Sequence, residues 1–491
     1  MIHYHPNNAN KNYNCAKKCR NYLSFKKNAL PLHRFSSPDG GIGRRAGLKH
    51  QWGNTRAGST PALGTLDNAN RLFFKWLAFF YSADLFSEIC YYLLHHFSII
   101  ISHDKFKIKD EDMIISFDGK RAVNNMTGLG NYSRRVIGAL AKKYPSDNYV
   151  ILAPRMKSSA DLNELLSMGN VELDVAPHPK LGHLWRSGKG IIKSAKSHSS
   201  EVFHGLSAEL PLGIGRSGMA SVVTIHDFIY HHFPKHYSFI DRNIYYRKAL
   251  HACKVADTIV TVSNYTKQDV VNILGINPEK IKVVYPCVGD NYLNPPTSSE
   301  IVEMKKHLGL PARYILTVGR LVYHKNLILA IESLSILNDK NISLVIVGQE
   351  NSYWRNTLYP TIVKYKLTDR VLLVPRVDSR WMPALYAGAQ AVVFPSFCEG
   401  FGLPILEANH CKTPVLCATG SALDEVGGDA VSFFNPNDAR DLAQSLDSVL
   451  EDVKLSNILK EKGQINAQRF TPMKMAEDLH NIYENALLSK Q

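Results

Sequence analysis

The chain has 491 residues, enough for two or three domains that each bury a core, and carries a formal net charge of +15. Up to Asp112, 16 Lys and Arg stand against 8 Asp and Glu, so about half of the excess lies in that stretch and the rest of the chain is only mildly basic. Nucleic acid is therefore not the expected partner, and an enzyme for anionic substrates or one working near anionic lipid is. The eight cysteines show no paired metal-type spacing apart from an isolated Cys15 and Cys19, which argues against a disulfide framework or a zinc site and for a reducing, cytoplasmic setting.

Residues 1–112 read unlike the remainder. Within "GGIGRRAGLKHQWGNTRAGSTPALGT", Gly58-Ser59-Thr60-Pro61 back-translates to GGT TCG ACT CCC, which resembles the T-arm of a transfer RNA gene, and Gly41 to Ala46 can be written as a D-arm. The expectation is a reading frame extended upstream through such a gene, with the native start at Met113; the alternative is a disordered basic extension. Lys75, Asp84 and Glu88 interrupt the apolar stretch "RLFFKWLAFFYSADLFSEICYYLLHHFSIII", leaving no clean run of about 18–20 apolar residues for a transmembrane helix. No signal-peptide pattern precedes it.

From Met113 onward, short Val- and Ile-rich runs alternate with segments of helical period. "MIISFDG", "NYVILAP", "EVFHG", "SVVTIHD", "DTIVTVS" and "KVVYP" read as buried strands. Most of the intervals are long enough for the crossover helices that parallel strands need. A break at "NPPTSSE" precedes a second series, "RYILTVG", "ISLVIVG", "RVLLVP", "AVVFPS", "TPVLCA" and "AVSFF". The predicted fold is α/β, with two doubly wound Rossmann-like domains at 113–290 and 300–470, a linker near 286–299 and a C-terminal helix over 471–491.

Ligands of such sheets lie beyond the carboxyl ends of the strands. "AVVFPS" ends near Ser396, so Glu399, Gly400, Phe401 and Gly402 fall in the following loop, and Leu403 and Pro404 open a helix that carries Glu407 about one turn in. Two glycines beside a helix start allow close backbone approach and seat a phosphate. Arg320 and Lys325 follow the strand "ILTVG", and Gly128 and Gly130 follow the first strand. His226 and Asp227 end "SVVTIHD", and His204 ends "EVFHG". For both histidines the alternative is a hydrogen-bonded core residue.

"EGFGLPILE" resembles the paired-glutamate signature of the retaining glycosyltransferases with two Rossmann-like domains, the glycosyltransferase family 4 group. The resemblance runs from Met113 to about the end of the chain. By that resemblance "TVGRLVYHKN" is a diphosphate clamp in which Arg320 and Lys325 neutralise the donor, and "MTGLGNYSRR" is the glycine loop with Gly128 and Gly130. Glu399 would bind donor-sugar hydroxyls, Glu407 the ribose, and the backbone from Gly400 through Leu403 would approach the donor. His226 would assist position and charge, with His204 and Asp227 on the acceptor side.

The resemblance further implies a nucleotide-sugar donor on the second domain, an acceptor on the first, and retention through front-face attack. Guanidinium, ammonium and backbone donors stabilise a leaving diphosphate without a metal, and no Asp-x-Asp motif ends a strand, so neither metal nor cofactor is expected. GDP-mannose is the first expectation for the donor and a UDP-sugar the second, with a glycan or lipid-linked acceptor in surface polysaccharide synthesis. The stretch "LGHLWRSGKGIIKSAK" is a candidate for peripheral contact with the inner membrane. The alternatives are a sugar-nucleotide epimerase or a phosphorylase-like enzyme of the same fold, or a non-catalytic binding module.

Overall fold

The computed structural model describes residues 112–490. The expectations of an upstream extension and of its failure to span a membrane concern residues outside that range. The runs of Val and Ile form two parallel sheets, because strands covered by helices on both faces must be apolar throughout. In the first sheet β1 (Ile114–Asp118), β2 (Asn148–Ala153), β3 (Val171–Val175), β4 (Val202–Gly205), β5 (Ala220–Ile225), β6 (Thr258–Thr261) and β7 (Ile281–Val283) lie in the order β3-β2-β1-β4-β5-β6-β7. The second holds β8 (Tyr314–Val318), β9 (Ser343–Val347), β10 (Val371–Val374), β11 (Ala391–Phe394), β12 (Val415–Ala418) and β13 (Ser432–Phe434), ordered β10-β9-β8-β11-β12-β13. All six residues of β5 and all four of β12 are buried.

Every strand expected from sequence is present, and β3 is additional. It is an edge strand whose Glu172 is exposed and whose last three residues are half-buried, so it lacks the continuous apolar run that marks the others.

Six helices position the site: α1 (Gly128–Lys143), α2 (Phe239–Val255), α3 (Asn264–Leu274), α4 (Leu403–His410), α5 (Ala422–Gly427) and α6 (Pro472–Leu488). The C-terminal α6 crosses back to the first sheet. Its Tyr483 hydroxyl lies 2.7 Å from His204 Nδ1, its His480 Nε2 lies 3.1 Å from Asp147, and His480 stacks on Tyr144 at 3.7 Å. One apolar cluster runs through Ile115, Val222, Leu316, Val392, Leu406 and Leu479, so both sheets and α6 share a core. The connection after β7 belongs to it as well, with Val284, Cys287, Val288 and Tyr292 buried. Among the described residues no helix is long and apolar enough to cross a membrane.

Candidate active site

In each sheet the strand order reverses at one point, between β1 and β4 and between β8 and β11. Connections leave such a point toward opposite faces, opening a crevice at the carboxyl ends of the strands. After β8 come Gly319 and Arg320, and a short turn over Tyr323–Lys325 brings Lys325 back toward β11. Lys325 Nζ lies 2.6 Å from Glu399 Oε1 and 5.1 Å from the centre of the Phe394 ring. Arg320, exposed and without an acid partner among the described residues, lines a small crevice with Gly319, Lys325, Phe394, Pro395 and Ser396. The Ser396 hydroxyl is buried there without a hydrogen-bond partner.

This donor set fits a diphosphate. An ammonium has three N–H donors, so Lys325 can keep Glu399 and still bind a phosphate oxygen, while the Arg320 guanidinium offers a planar fork. Glu399 is held from its backbone too, its N–H donating to Ser421 Oγ at 3.2 Å. The next residue touches the other domain. A Cβ on Gly400 would stand 1.9 Å from the carbonyl oxygen of His226, so only glycine allows this approach. Gly402, at φ 124°, turns the chain into α4, and Pro404 occupies the first turn as expected.

His226 follows β5 and faces this loop. Its Nε2 lies 2.8 Å from the Leu206 carbonyl, which can only accept, so Nε2 carries the proton and Nδ1 is left as an acceptor. Burial lowers its pKa to about 4; the Leu206 bond opposes the shift and the Arg121 charge adds to it, so the ring is neutral at pH 7. Tyr132 meets it edge-on at 4.6 Å. Asp227 is open to water within the cleft, yet the surrounding protein desolvates it and pushes its carboxyl up, with the Ile229 N–H opposing and Glu399 adding to the rise.

The structure thus gathers Arg320, Lys325, Glu399, Gly400, His226 and Asp227. His204 is not an acceptor-side group. It is fully buried, with Nδ1 on the Tyr483 hydroxyl and Nε2 2.9 Å from Thr224 Oγ1, and burial lowers its pKa to about 3. The expected glycine loop is the first turn of α1, preceded by a short helix over Lys120–Asn124. Gly128 there faces open space, whereas a Cβ on Gly130 would collide with the Asn125 carbonyl at 1.7 Å, so Gly130 serves packing rather than donor approach.

Phe401 and Leu403 likewise point inward. Phe401 packs on Tyr285 and Phe470, and Leu403 against the shared core. Glu407 has protein partners that sequence gave no sign of. The Tyr386 hydroxyl donates to Oε2 at 2.7 Å, and Arg135 of α1 stands 4.0 Å from Oε1. Burial raises the Glu407 pKa, and Arg135, Tyr386 and Tyr292 oppose the rise.

Two groups of residues at the cleft escape sequence reading. Across the cleft Phe233 and His236 meet Tyr323, His324 and Phe397, with His236 stacked on Tyr323 at 3.8 Å. Ser263, the N-cap of α3, donates to the Gly400 carbonyl at 2.7 Å, and Thr266 Oγ1 lies 3.1 Å from the His226 carbonyl and 3.2 Å from that of Gly400. Ser263 and Thr266 carry the ordinary signature of a helix start, and their partner stands more than 130 residues away.

Comparison with known proteins places this geometry. A family model described as Glycosyl transferases group 1 matches residues 301–488, and one described as Glycosyltransferase Family 4 matches residues 126–291. The O-antigen chain mannosyltransferase B of Escherichia coli is 24% identical over 374 residues, covering 73% of this chain and 96% of that protein. The O-antigen chain mannosyltransferase RfbU of Salmonella typhimurium is 27% identical over 228 residues, 46% of this chain and 60% of that protein. Among solved structures, Anabaena Alr3699/HepE in complex with UDP and glucose superposes with TM-score 0.59 at 20% identity, covering 75% of this chain and 99% of that one. WaaG, a glycosyltransferase involved in lipopolysaccharide biosynthesis, superposes with TM-score 0.59 at 15% identity over the same shares.

Proposed function

Since the chain belongs to the family 4 glycosyltransferases with the two-domain fold, we propose that it transfers mannose from GDP-mannose, with retention of configuration, to a glycan or lipid-linked acceptor in surface polysaccharide synthesis. The observation that carries this reading is the Lys325–Glu399 pair beside Arg320, set at the reversal of the second sheet and facing His226 of the first. The mannosyl donor rests on the names of the two O-antigen relatives; HepE, solved with UDP and glucose, keeps a UDP-sugar as the second candidate. Both family models describe glycosyl transferases, which supports transfer over the epimerase or phosphorylase alternative.

In the proposed reaction the donor diphosphate lies on Arg320, Lys325 and the amino end of α4, where cationic and N–H donors stabilise the charge that develops as the glycosidic bond breaks. Gly128, in open space at the start of α1, gives room for the phosphates from the first domain. Glu399 accepts from hydroxyls of the sugar, and half-buried Glu407, with Tyr386 on Oε2 and Arg135 near Oε1, accepts from a ribose hydroxyl. Neutral His226 orients the sugar and acceptor hydroxyls, and the departing phosphate takes the acceptor proton. No metal or cofactor has a part in these steps.

Leu184, Phe239 and Ile240 are the exposed apolar residues that would rest on an anionic membrane, at 67%, 72% and 69% exposure. Within "LGHLWRSGKGIIKSAK", however, Ile191 and Ile192 face the core. The test is release of nucleoside diphosphate from GDP-mannose and from UDP-sugars, with and without lipid-linked acceptor. Acceptor-dependent release of GDP supports the reading, and release without acceptor at the same rate contradicts it.

A further inference from the structure

The two domains also meet at a contact outside the lining of the donor crevice. Glu425, half-buried on α5 of the second domain, turns its carboxylate onto the first turn of α3 in the first domain. Its oxygens accept from the Asn264 N–H at 2.9 and 3.1 Å, from the Tyr265 N–H at 3.4 Å, from the Asn264 side-chain amide at 2.7 Å and from the Tyr285 hydroxyl at 2.7 Å. Helix starts leave N–H groups without internal partners and carry partial positive charge, so a carboxylate from another domain is an effective cap. The Tyr285 phenol beside this carboxylate is pushed up to about 12, by burial first and Glu425 next, so it stays a donor throughout the working range.

Both ends of this contact lead to the reacting centre. On the Glu425 side, the loop that enters α5 carries Ser421, which accepts the Glu399 N–H. On the α3 side, Ser263 and Thr266 hold the carbonyls of Gly400 and His226. We propose that Glu425 is a positioning residue for transfer: an interdomain latch that docks α5 on α3 and thereby sets Glu399 and Gly400 of the donor loop in register with His226. The latch rests on the transferase reading. None of its groups belongs to the phosphate crevice, so opening it leaves nucleotide affinity in place and lowers the fraction of molecules assembled for reaction.

The test uses the full chain, with Glu425→Ala and Glu425→Gln beside the parent. The latch account expects Glu425→Ala to bind free nucleoside diphosphate like the parent, to lose about tenfold or more in kcat, and to show a larger radius of gyration by small-angle scattering. Glu425→Gln, which keeps one acceptor oxygen, recovers part of that loss. The double variant Ser263→Ala/Thr266→Val gives the same split from the other side of the contact. A parent active in transfer with a Glu425→Ala enzyme of unchanged kcat overturns the latch, as does a fall in melting temperature with unchanged kcat. A parent that transfers no sugar overturns the underlying reading instead.

Discussion

The two domains share one architecture and use charge in opposite ways. In the second domain Arg320 and Lys325 both stand on the connection after β8, one exposed and the other paired, among the described residues, to Glu399 alone, so their charge is available to a ligand. In the first domain one cation is locked away. Arg186 is buried, with Nε 2.8 Å from Asp118 and Nη1 2.7 Å from Glu209, and these acids raise its pKa against the lowering effect of burial, the largest single influence. The difference teaches that the second domain leaves cations open at its crevice, where an anion could meet them, whereas the first uses Arg186 to fix its own frame and turns His226 and aromatic groups to the cleft.

Breaking the charge frame of the first domain tests that contrast with the largest expected effect. Arg186→Ala leaves Asp118 and Glu209 without their buried partner, and removing one member of such a pair costs about 3–5 kcal/mol. Urea denaturation should show that loss, and a change below about 1 kcal/mol would remove the distinction. His226→Ala comes next. Turnover should fall roughly a hundredfold or more, as for loss of a polar catalytic group, while nucleoside diphosphate binding holds. Lower stability with normal specific activity would make His226 a core residue like His204.

His204→Ala sharpens the comparison from the other side. Losing bonds to Tyr483 and Thr224 should cost about 1–3 kcal/mol and loosen α6, with kcat of the folded enzyme unchanged. The smallest effect is that of pH. The pKa values of His204 and His226 lie at about 3 and about 4 in the fold, below the usual 6.5, so the unfolded chain binds more protons between these values. Stability from these two groups is therefore complete above about pH 6.5 and declines toward pH 4, by roughly 1 kcal/mol per histidine at one pH unit below 6.5. Melting curves at pH 7.5 and 5.5 should show the decline; a rise on acidification would contradict the burial of both rings.

The donor half was the more legible in the sequence, for a physical reason. Its loops directly follow apolar strands, so "TVGR" and "FPSFCEGFG" announce their place, and Arg320, Lys325 and Glu399 stand together as their positions implied. The acceptor half was less so. His204 and His226 end neighbouring parallel strands and look alike in sequence, yet one turns into the core under α6 and the other faces the cleft. That choice depends on Tyr483, 279 residues away. Phe401 illustrates the same limit within a legible motif: its neighbours in sequence line the site while its ring joins Tyr285 and Phe470. β3, the cross-cleft aromatics and the hold of Ser263 and Thr266 on Gly400 all arise from long-range packing, which local pattern does not encode.

The central claim is that the crevice between β8 and β11 binds the nucleotide end of a sugar donor. Calorimetric titration of GDP, UDP and ADP into the parent, Lys325→Ala, Glu399→Ala and Glu407→Ala tests it most directly. The account predicts one nucleotide, GDP, bound by the parent and by Glu399→Ala with nearly equal affinity. Lys325→Ala and Glu407→Ala should each weaken it about tenfold or more, through loss of a phosphate contact and of a ribose contact. A parent that binds none of the three, or Lys325→Ala and Glu407→Ala enzymes that bind GDP like the parent, would contradict it.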